Sequence, residues 1–371
     1  MTPASLNPLV RLGELGQSPW YDYITRDLLT SGELGRLIAE DGLRGMTSNP
    51  TIFEKAIAGS RLYDEDIRIH ADAGRSPQEI FEHLAVADVQ AACDLFAPVF
   101  RESDGADGLV SLEVAPTLAH ETEATVAEAE RLWRALDRPN AMIKIPGTAA
   151  GLPAITRCIA AGISVNVTLL FSVERYGEVI EAFLAGLERR LETGQPLRPI
   201  TSVASFFVSR VDGKVDPALD RVGDPHRLRG RIAIANAAAA YRLFEWSLGT
   251  PRWQRLAKAG ARPQRPLWAS TSTKDPAYPD VHYVEALVAP RTVNTLPPET
   301  FAAYRDHGRP AVRIVDQIQA APGLLEALSG QGIDLAAITR ELEADGVAKF
   351  AASYASLLAG IEAKAGALVG R

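Results

Sequence analysis

The sequence predicts a single (β/α)8 barrel with additional helices, one of them a carboxy-terminal helix packed on the barrel. Three observations carry that expectation. Short β-type runs alternate with amphipathic helical stretches, as in a parallel sheet with crossover helices. There are eight such runs, the number that closes a parallel barrel. In several of them polar residues share one strand face and apolar residues the other, which suits a sheet with helices outside and a polar site at the inner mouth. An open doubly wound sheet is the structural alternative.

The candidate strands, in order, are Trp20–Tyr23, Leu43–Ser48, Gly108–Val114, Ala141–Ile145, Ile163–Leu169, Ile200–Phe207, Leu267–Thr271 and Tyr283–Val288. The clearest helical segments between them are Ser76–Phe96, Glu121–Leu136, Ser172–Leu191 and Ile232–Leu248. A barrel of this kind needs about 250 residues, and the chain has 371. The surplus is assigned to helices around Glu54–Arg68, inside Asp212–Pro263 and after Asn294. In the final stretch, Ile338–Leu368, the residues Leu342, Val347, Phe350, Tyr354, Leu357, Leu358 and Ile361 recur at a spacing that buries one helix face. The polar, breaker-rich segments Gly223–Arg231 and Lys258–Pro266 are loops, too short for interdomain linkers. Residues 1–371 are therefore expected to form one domain.

Composition narrows the function. Hydrophobic residues make up 47% and charged residues 23%, as in ordinary globular chains, and the net charge is −7. A negative chain is a poor nucleic-acid binder, because a phosphate backbone demands a basic face. It can still hold one small anion on a few local cations. The two cysteines, Cys93 and Cys158, form no CxxC pattern, so reduced thiols and a cytoplasmic location are expected. The six histidines are scattered without an HxxxH spacing, so no metal site is expected. The stretch Met1–Gly16 has no apolar leader segment. The longest uncharged run, Cys158–Val173, is shorter than a membrane span and carries Ser164, Asn166 and Thr168. No membrane association is expected, and oligomeric state is not legible.

The polar strand faces are the most informative feature. In ISVNVTL, Ser164, Asn166 and Thr168 oppose Ile163, Val165, Val167 and Leu169. In GLVSLEV, Ser111 and Glu113 oppose Val110, Leu112 and Val114. In AMIKI, Met142 and Lys144 oppose Ile143 and Ile145, and in RGMTSN, Thr47 and Asn49 share a face. At a barrel mouth this parity gathers Asp22, Asn49, Glu113, Lys144, Asn166 and Thr168 in one space. A buried lysine and carboxylates are costly unless paired or neutral, so the group as a whole points to function. Each member alone has a plainer explanation. Asp22 could cap a helix, Asn49 before Pro50 could start a turn, and Asn166 and Thr168 could fill a barrel layer. Lys144 and Glu113 could be solvated face residues.

The segments MTSNPTIF (46–53), VSLEVAPTLA (110–119), MIKIPGTAAGL (142–152), ISVNVTLLFS (163–172) and SFFVSRVD (205–212) together resemble the transaldolase family. SPWYDYITRDLL, WASTSTKDPAYPD (268–280) and DGVAKF (345–350) fit the same pattern, in the same order. The longer bacterial type is most similar. The resemblance implies a (β/α)8 barrel without metal or organic cofactor and with sugar phosphates as substrates. It implies transfer of a dihydroxyacetone unit from sedoheptulose 7-phosphate or fructose 6-phosphate to glyceraldehyde 3-phosphate or erythrose 4-phosphate, in the non-oxidative pentose phosphate pathway.

Carried over residue by residue, Lys144 matches the Schiff-base lysine, Asp22 the acid/base aspartate and Glu113 the glutamate of the third strand. Asn49, Asn166 and Thr168 match polar active-site positions. Ser205 and Arg210 match substrate contacts, and Ser270 matches a phosphate contact. Shorter transaldolases carry an arginine soon after the position of Ser270. Here the first basic residue is Lys274, which is expected to supply that charge from a longer loop.

The chemistry gives these residue types their reason. A neutral amine attacks a ketose carbonyl to form an iminium, an electron sink that allows the adjacent carbon–carbon bond to break. Glu113, through a water, and Thr168 would serve imine formation. Asp22 would take the proton of the C4 hydroxyl and return it to the second aldehyde. Asn49 and Asn166 would hold the hydroxyls of the retained unit, while Arg210, Ser270 and Lys274 hold the distal phosphate. Two alternatives stand beside this reading. One is a fructose 6-phosphate aldolase-like enzyme, whose shorter members usually have glutamine at the position of Glu113 and tyrosine at that of Phe207. The other is a non-catalytic barrel that binds sugar phosphates.

Overall fold

The computed structural model describes residues 7–369. Residues 1–6 of the stretch read for a leader, and 370–371 of the expected single domain, lie outside the described residues. Eight parallel strands pair in chain order and close on themselves: β1 (Gln17–Tyr21), β2 (Gly45–Thr47), β3 (Leu109–Glu113), β4 (Ala141–Pro146), β5 (Val165–Leu170), β6 (Ser202–Phe207), β7 (Arg265–Ala269) and β8 (Thr292–Leu296). β8 returns to β1 over the full strand, from Gln17 opposite Thr292 to Tyr21 opposite Leu296. The barrel expectation therefore holds, with strand ends shifted by a few residues.

The eighth strand is a correction. Tyr283–Val288 is not a strand; His282–Ala286 is a short helix, and β8 begins at Thr292. The reason is visible in the burial. Tyr283, Val284, Leu287 and Val288 are buried while Glu285 and Ala286 are partly exposed, a helical spacing rather than a strand alternation. A second departure lies in β5. Its pairing with β6 shifts between Val167 and Leu170, and Leu169 has φ +61°. The alternation expected through Leu169 thus ends at Thr168.

The helices follow from their caps and apolar stripes. Ser76 and Glu79 form a reciprocal capping box before the helix Pro77–Glu102, and Ser172 caps Val173–Glu192. By length and composition Pro77–Glu102 could cross a membrane; here it packs on β3, β4 and neighbouring helices, burying Ile80, Leu84, Val89 and Phe96. The surplus residues form Pro50–Ala58 and Asp64–Asp72 after β2, then Ser209–Val222, Ile232–Leu248 and Pro251–Lys258 between β6 and β7. After β8 come Pro298–His307, Ile314–Gly330 and Leu335–Val369. Gly223–Arg231 is a loop as expected, whereas Lys258–Pro266 already contains the start of β7 at Arg265.

The carboxy-terminal helix Leu335–Val369 lies across the helices Pro50–Ala58, Asp64–Asp72, Pro77–Glu102 and Ser209–Val222. It buries Leu342, Phe350, Tyr354, Leu357 and Ile361, as its spacing predicts, whereas Val347 and Leu358 of the same stripe are only half-buried. Thr51 donates to Ser353 at 2.8 Å, and Lys364 pairs with Asp64 at 2.9 Å. This helix consequently roofs part of the barrel mouth instead of extending away from it.

Candidate active site

The site lies at the carboxyl ends of the strands, around a cavity of about 680 Å³. Strand register sets a polar row that reaches its floor at Lys144. Glu113 of β3 stands opposite Lys144 of β4, and Lys144 stands opposite Asn166 of β5. Three adjacent strands therefore set a carboxylate, an amine and a carboxamide in one row. Pro146 opposite Thr168 forms the next step towards the mouth.

Lys144 is buried, with 4% of its surface exposed. Its Nζ donates to the Ser48 carbonyl at 3.1 Å and lies 3.2 Å from Glu113 Oε2. The Glu113 contact is a close charge pair without hydrogen-bond alignment: neither carboxylate oxygen receives a directed hydrogen bond. Burial pushes the Glu113 carboxyl up from its ordinary range; the Lys144 charge opposes that shift and Asp22 adds to it. The Thr168 hydroxyl is likewise buried, without a partner among the described residues. Such groups are costly in a purely structural core.

Asp22 follows the last residue of β1, and its amide still donates to Leu296 of β8 at 2.8 Å. It does not cap the next helix, since Thr25 does. Its carboxylate accepts from Thr47 at 2.6 Å, and the Thr47 hydroxyl shares a 2.7 Å hydrogen bond with Thr295. Burial raises Asp22 as well, against the pull of Lys144 and Thr47. Asn49 does act as a cap: its Oδ1 accepts from the Ile52 amide at 3.0 Å, opening Pro50–Ala58 at the cavity edge.

Asp22, Asn49, Lys144, Thr168, Ser205, Arg210, Ser270 and Lys274 all line the cavity. Glu113 and Asn166 stand outside its wall. Asn166 is fully buried and its amide is engaged on both sides, donating to Ser111 at 3.0 Å and accepting from Ser205 at 2.7 Å.

Arg210 opens the helix Ser209–Val222, one residue after its start. Its guanidinium lies 5.0 Å from the Phe207 ring centroid, and it pairs with no carboxylate among the described residues. Burial holds it below the usual arginine range. Ser270 follows β7 with φ +54°, and its hydroxyl meets that of Ser209 at 3.0 Å. Backbone in the left-handed region is sparsely used by residues other than glycine, asparagine and aspartate. Lys274 is exposed, and its Nζ donates to Ser272 at 2.7 Å.

Sequence reasoning missed Thr295, Ser209, Ser272 and the cavity face of the carboxy-terminal helix. Thr295 was hidden by the misplaced eighth strand, although the β-branched run Thr292–Leu296 between Pro290 and Pro297 carried a signal. The helix face gave none, because periodicity tells that Phe350 is buried but not against what.

A parallel barrel with a buried lysine beside a carboxylate, under an open polar mouth with an arginine that meets no carboxylate among the described residues, fits the class of barrel enzymes that use a lysine on anionic substrates. The comparisons with known proteins make that class specific. The chain belongs to the family described as Transaldolase/Fructose-6-phosphate aldolase, which matches residues 19–361. The transaldolase of Acidothermus cellulolyticus is 52% identical over 360 residues, 96% of either chain. That of Parafrankia sp. is 50% identical over 354 residues, 95% of this chain and 96% of the relative. That of Thermobifida fusca is 50% identical over 355 residues, again 95% and 96%.

Proposed function

We propose that this chain is a transaldolase whose covalent step runs through Lys144. It transfers a dihydroxyacetone unit from sedoheptulose 7-phosphate or fructose 6-phosphate to glyceraldehyde 3-phosphate or erythrose 4-phosphate, a step of the non-oxidative pentose phosphate pathway. One observation carries the residue assignment: Lys144 projects from a strand into the cavity floor, 3.2 Å from Glu113.

The Lys144 amine adds to the ketose C2, and the resulting carbinolamine hydroxyl takes up a proton and leaves as water, giving the iminium. A Glu113 carboxyl raised by burial is suited to give and take that proton. Thr168 lines the cavity, and its hydroxyl, unpartnered among the described residues, orients the departing water. Asp22 accepts the C4 hydroxyl proton as the C3–C4 bond breaks, leaving an enamine on Lys144 and a free aldose phosphate. The Thr295–Thr47–Asp22 hydrogen-bond chain orients its carboxylate. The acceptor aldehyde then takes the enamine carbon and recovers the proton from Asp22; water adds to C2 of the iminium so formed, and cleavage of the carbon–nitrogen bond frees the product ketose and the Lys144 amine. Asn49 contacts the hydroxyls of the retained unit. Asn166 supports Ser205 and the row beside Lys144 from behind, which differs from the direct hydroxyl contact expected of it. Arg210, Ser270 and Lys274 hold the phosphate at the other end of the cavity.

Residues 1–371 work as one domain on this reading, supported by the contacts that tie Leu335–Val369 to helices from the first third of the chain. A cytoplasmic location accords with Cys93 and Cys158, both buried and unpaired, whose thiols burial pushes up to about 12.

The test is borohydride reduction in the presence of fructose 6-phosphate, followed by peptide mass analysis. A reduced three-carbon or six-carbon adduct is expected on Lys144. An adduct on another residue, or none, overturns the assignment.

A further inference from the structure

We propose that Phe350 of the carboxy-terminal helix is a specificity-determining and positioning residue: it shields the enamine on Lys144 and thereby keeps the enzyme a transferase instead of an aldolase. The proposal rests on the Lys144 reading above.

The helix Leu335–Val369 contributes Leu342, Asp345, Lys349 and Phe350 to the cavity wall. Its height above the barrel is fixed at Gly346. A Cβ there would stand 3.0 Å from Leu169 Cδ2, so the helix rests directly on the residue that leaves the β5 alternation. One turn on, Phe350 is 4% exposed. Its ring centroid lies 5.7 Å from Lys144 Nζ and 6.0 Å from Arg210 Cζ. A single aromatic ring therefore sits within reach of the group that binds C2 and the group that binds phosphate. A ketose phosphate joined to the first and held by the second must run past that ring.

Two consequences follow from its chemistry. The ring face attracts cations, so it holds the Arg210 guanidinium in place beside the covalent intermediate. Its apolar bulk also denies water access to the covalent intermediate. That access decides the product. Where a proton reaches the enamine carbon, an iminium re-forms; water then adds to C2, the carbon–nitrogen bond breaks, and dihydroxyacetone leaves with Lys144 restored as the amine. Where protonation is blocked, the enamine waits for the acceptor aldehyde.

The test compares the wild-type chain with Phe350→Ala and Phe350→Leu. Fructose 6-phosphate is supplied with and without erythrose 4-phosphate, and free dihydroxyacetone is measured against transferred product. Phe350→Ala is expected to raise the ratio of free to transferred product at least about tenfold and to raise KM for fructose 6-phosphate, while borohydride still traps Lys144. Phe350→Leu keeps helix propensity and much of the apolar volume but loses the ring; it is expected to raise the ratio by a smaller margin, about two- to fourfold, and to carry the test should the alanine variant fold poorly. An unchanged partition in trapping-competent variants overturns the proposal alone. Failure of the wild-type chain to trap on Lys144 overturns the lysine assignment, and the proposal with it.

Discussion

Two charged clusters occupy opposite ends of the same barrel. At the amino-terminal end Arg265, the first residue of β7, pairs with Asp107 at 2.9 Å and donates to Ser18 at 2.9 Å and to the Ala106 carbonyl at 2.6 Å. Ser18 in turn donates to Asp107 at 2.9 Å. At the carboxyl end Lys144 stands 3.2 Å from Glu113, yet among the described residues both Glu113 oxygens and the Thr168 hydroxyl have no directed partner. Both clusters are polar groups withdrawn from water. Only the lower one spends its hydrogen-bonding capacity on itself. The upper one keeps capacity in reserve at a desolvation cost, which is what a site needs if its partners are to be reacting molecules.

That contrast predicts opposite outcomes when each cation is removed. Lys144→Met is expected to abolish transfer, by at least about four orders of magnitude in kcat, the scale of losing a covalent nucleophile. Its stability cost should fall below the ~3–5 kcal/mol of breaking a fully committed buried pair. The reason is that Glu113, already raised by burial, can take a proton once its cation is gone. Steady-state kinetics and urea unfolding of the same variant check both halves. Residual transfer at the wild-type rate would break the comparison at its upper end.

Arg265→Met tests the lower end. It strands Asp107 and Ser18 together, with Asp107 only 17% exposed. A loss of about 2–3 kcal/mol in unfolding free energy is expected, with kcat and KM within roughly twofold of wild type because Arg265 lies at the end of the barrel away from the cavity. A large kcat effect at unchanged stability would show that the two ends are coupled. The absence of any stability change would mean that full hydrogen-bonding there is incidental.

The two clusters were not equally legible in the sequence. Lys144, Glu113, Asn166 and Thr168 stood out because strand parity places side chains from composition alone, one strand at a time. Their order in a row depends on stagger between strands, which no single strand encodes; the structure supplies it through the pairing of Glu113, Lys144 and Asn166. Arg265 was invisible, lying in a segment whose glycine and prolines read as loop. Its partners are also more than 150 positions away, as in the pair with Asp107. Tyr283–Val288 was misread for a related reason. Aromatic and β-branched residues suit a strand, but packing resolved that run as helix and gave the eighth strand to Thr292–Leu296. Phe350 was legible as a buried residue, and its neighbours were not.

A smaller effect sharpens the comparison within the mouth itself. Arg210 and Lys274 are both assigned to the phosphate, but their settings differ. Arg210 is largely buried, ringed by Phe207 and Phe350, and its fork is uncommitted. Lys274 is exposed and already bonded to Ser272. A charge-assisted hydrogen bond out of water contributes about 1.5–3 kcal/mol, whereas an exposed ion pair contributes at most ~1 kcal/mol and is screened by salt. Arg210→Ala is therefore expected to lower kcat/KM for fructose 6-phosphate by roughly 10- to 100-fold, and Lys274→Ala by no more than about fivefold. Raising ionic strength should erase the Lys274 effect and leave most of the Arg210 effect. Neither variant should alter turnover of unphosphorylated fructose. Equal losses for the two variants at every salt concentration would place Lys274 in a more buried geometry with substrate bound, and would mean that the loop after β7 closes on the phosphate.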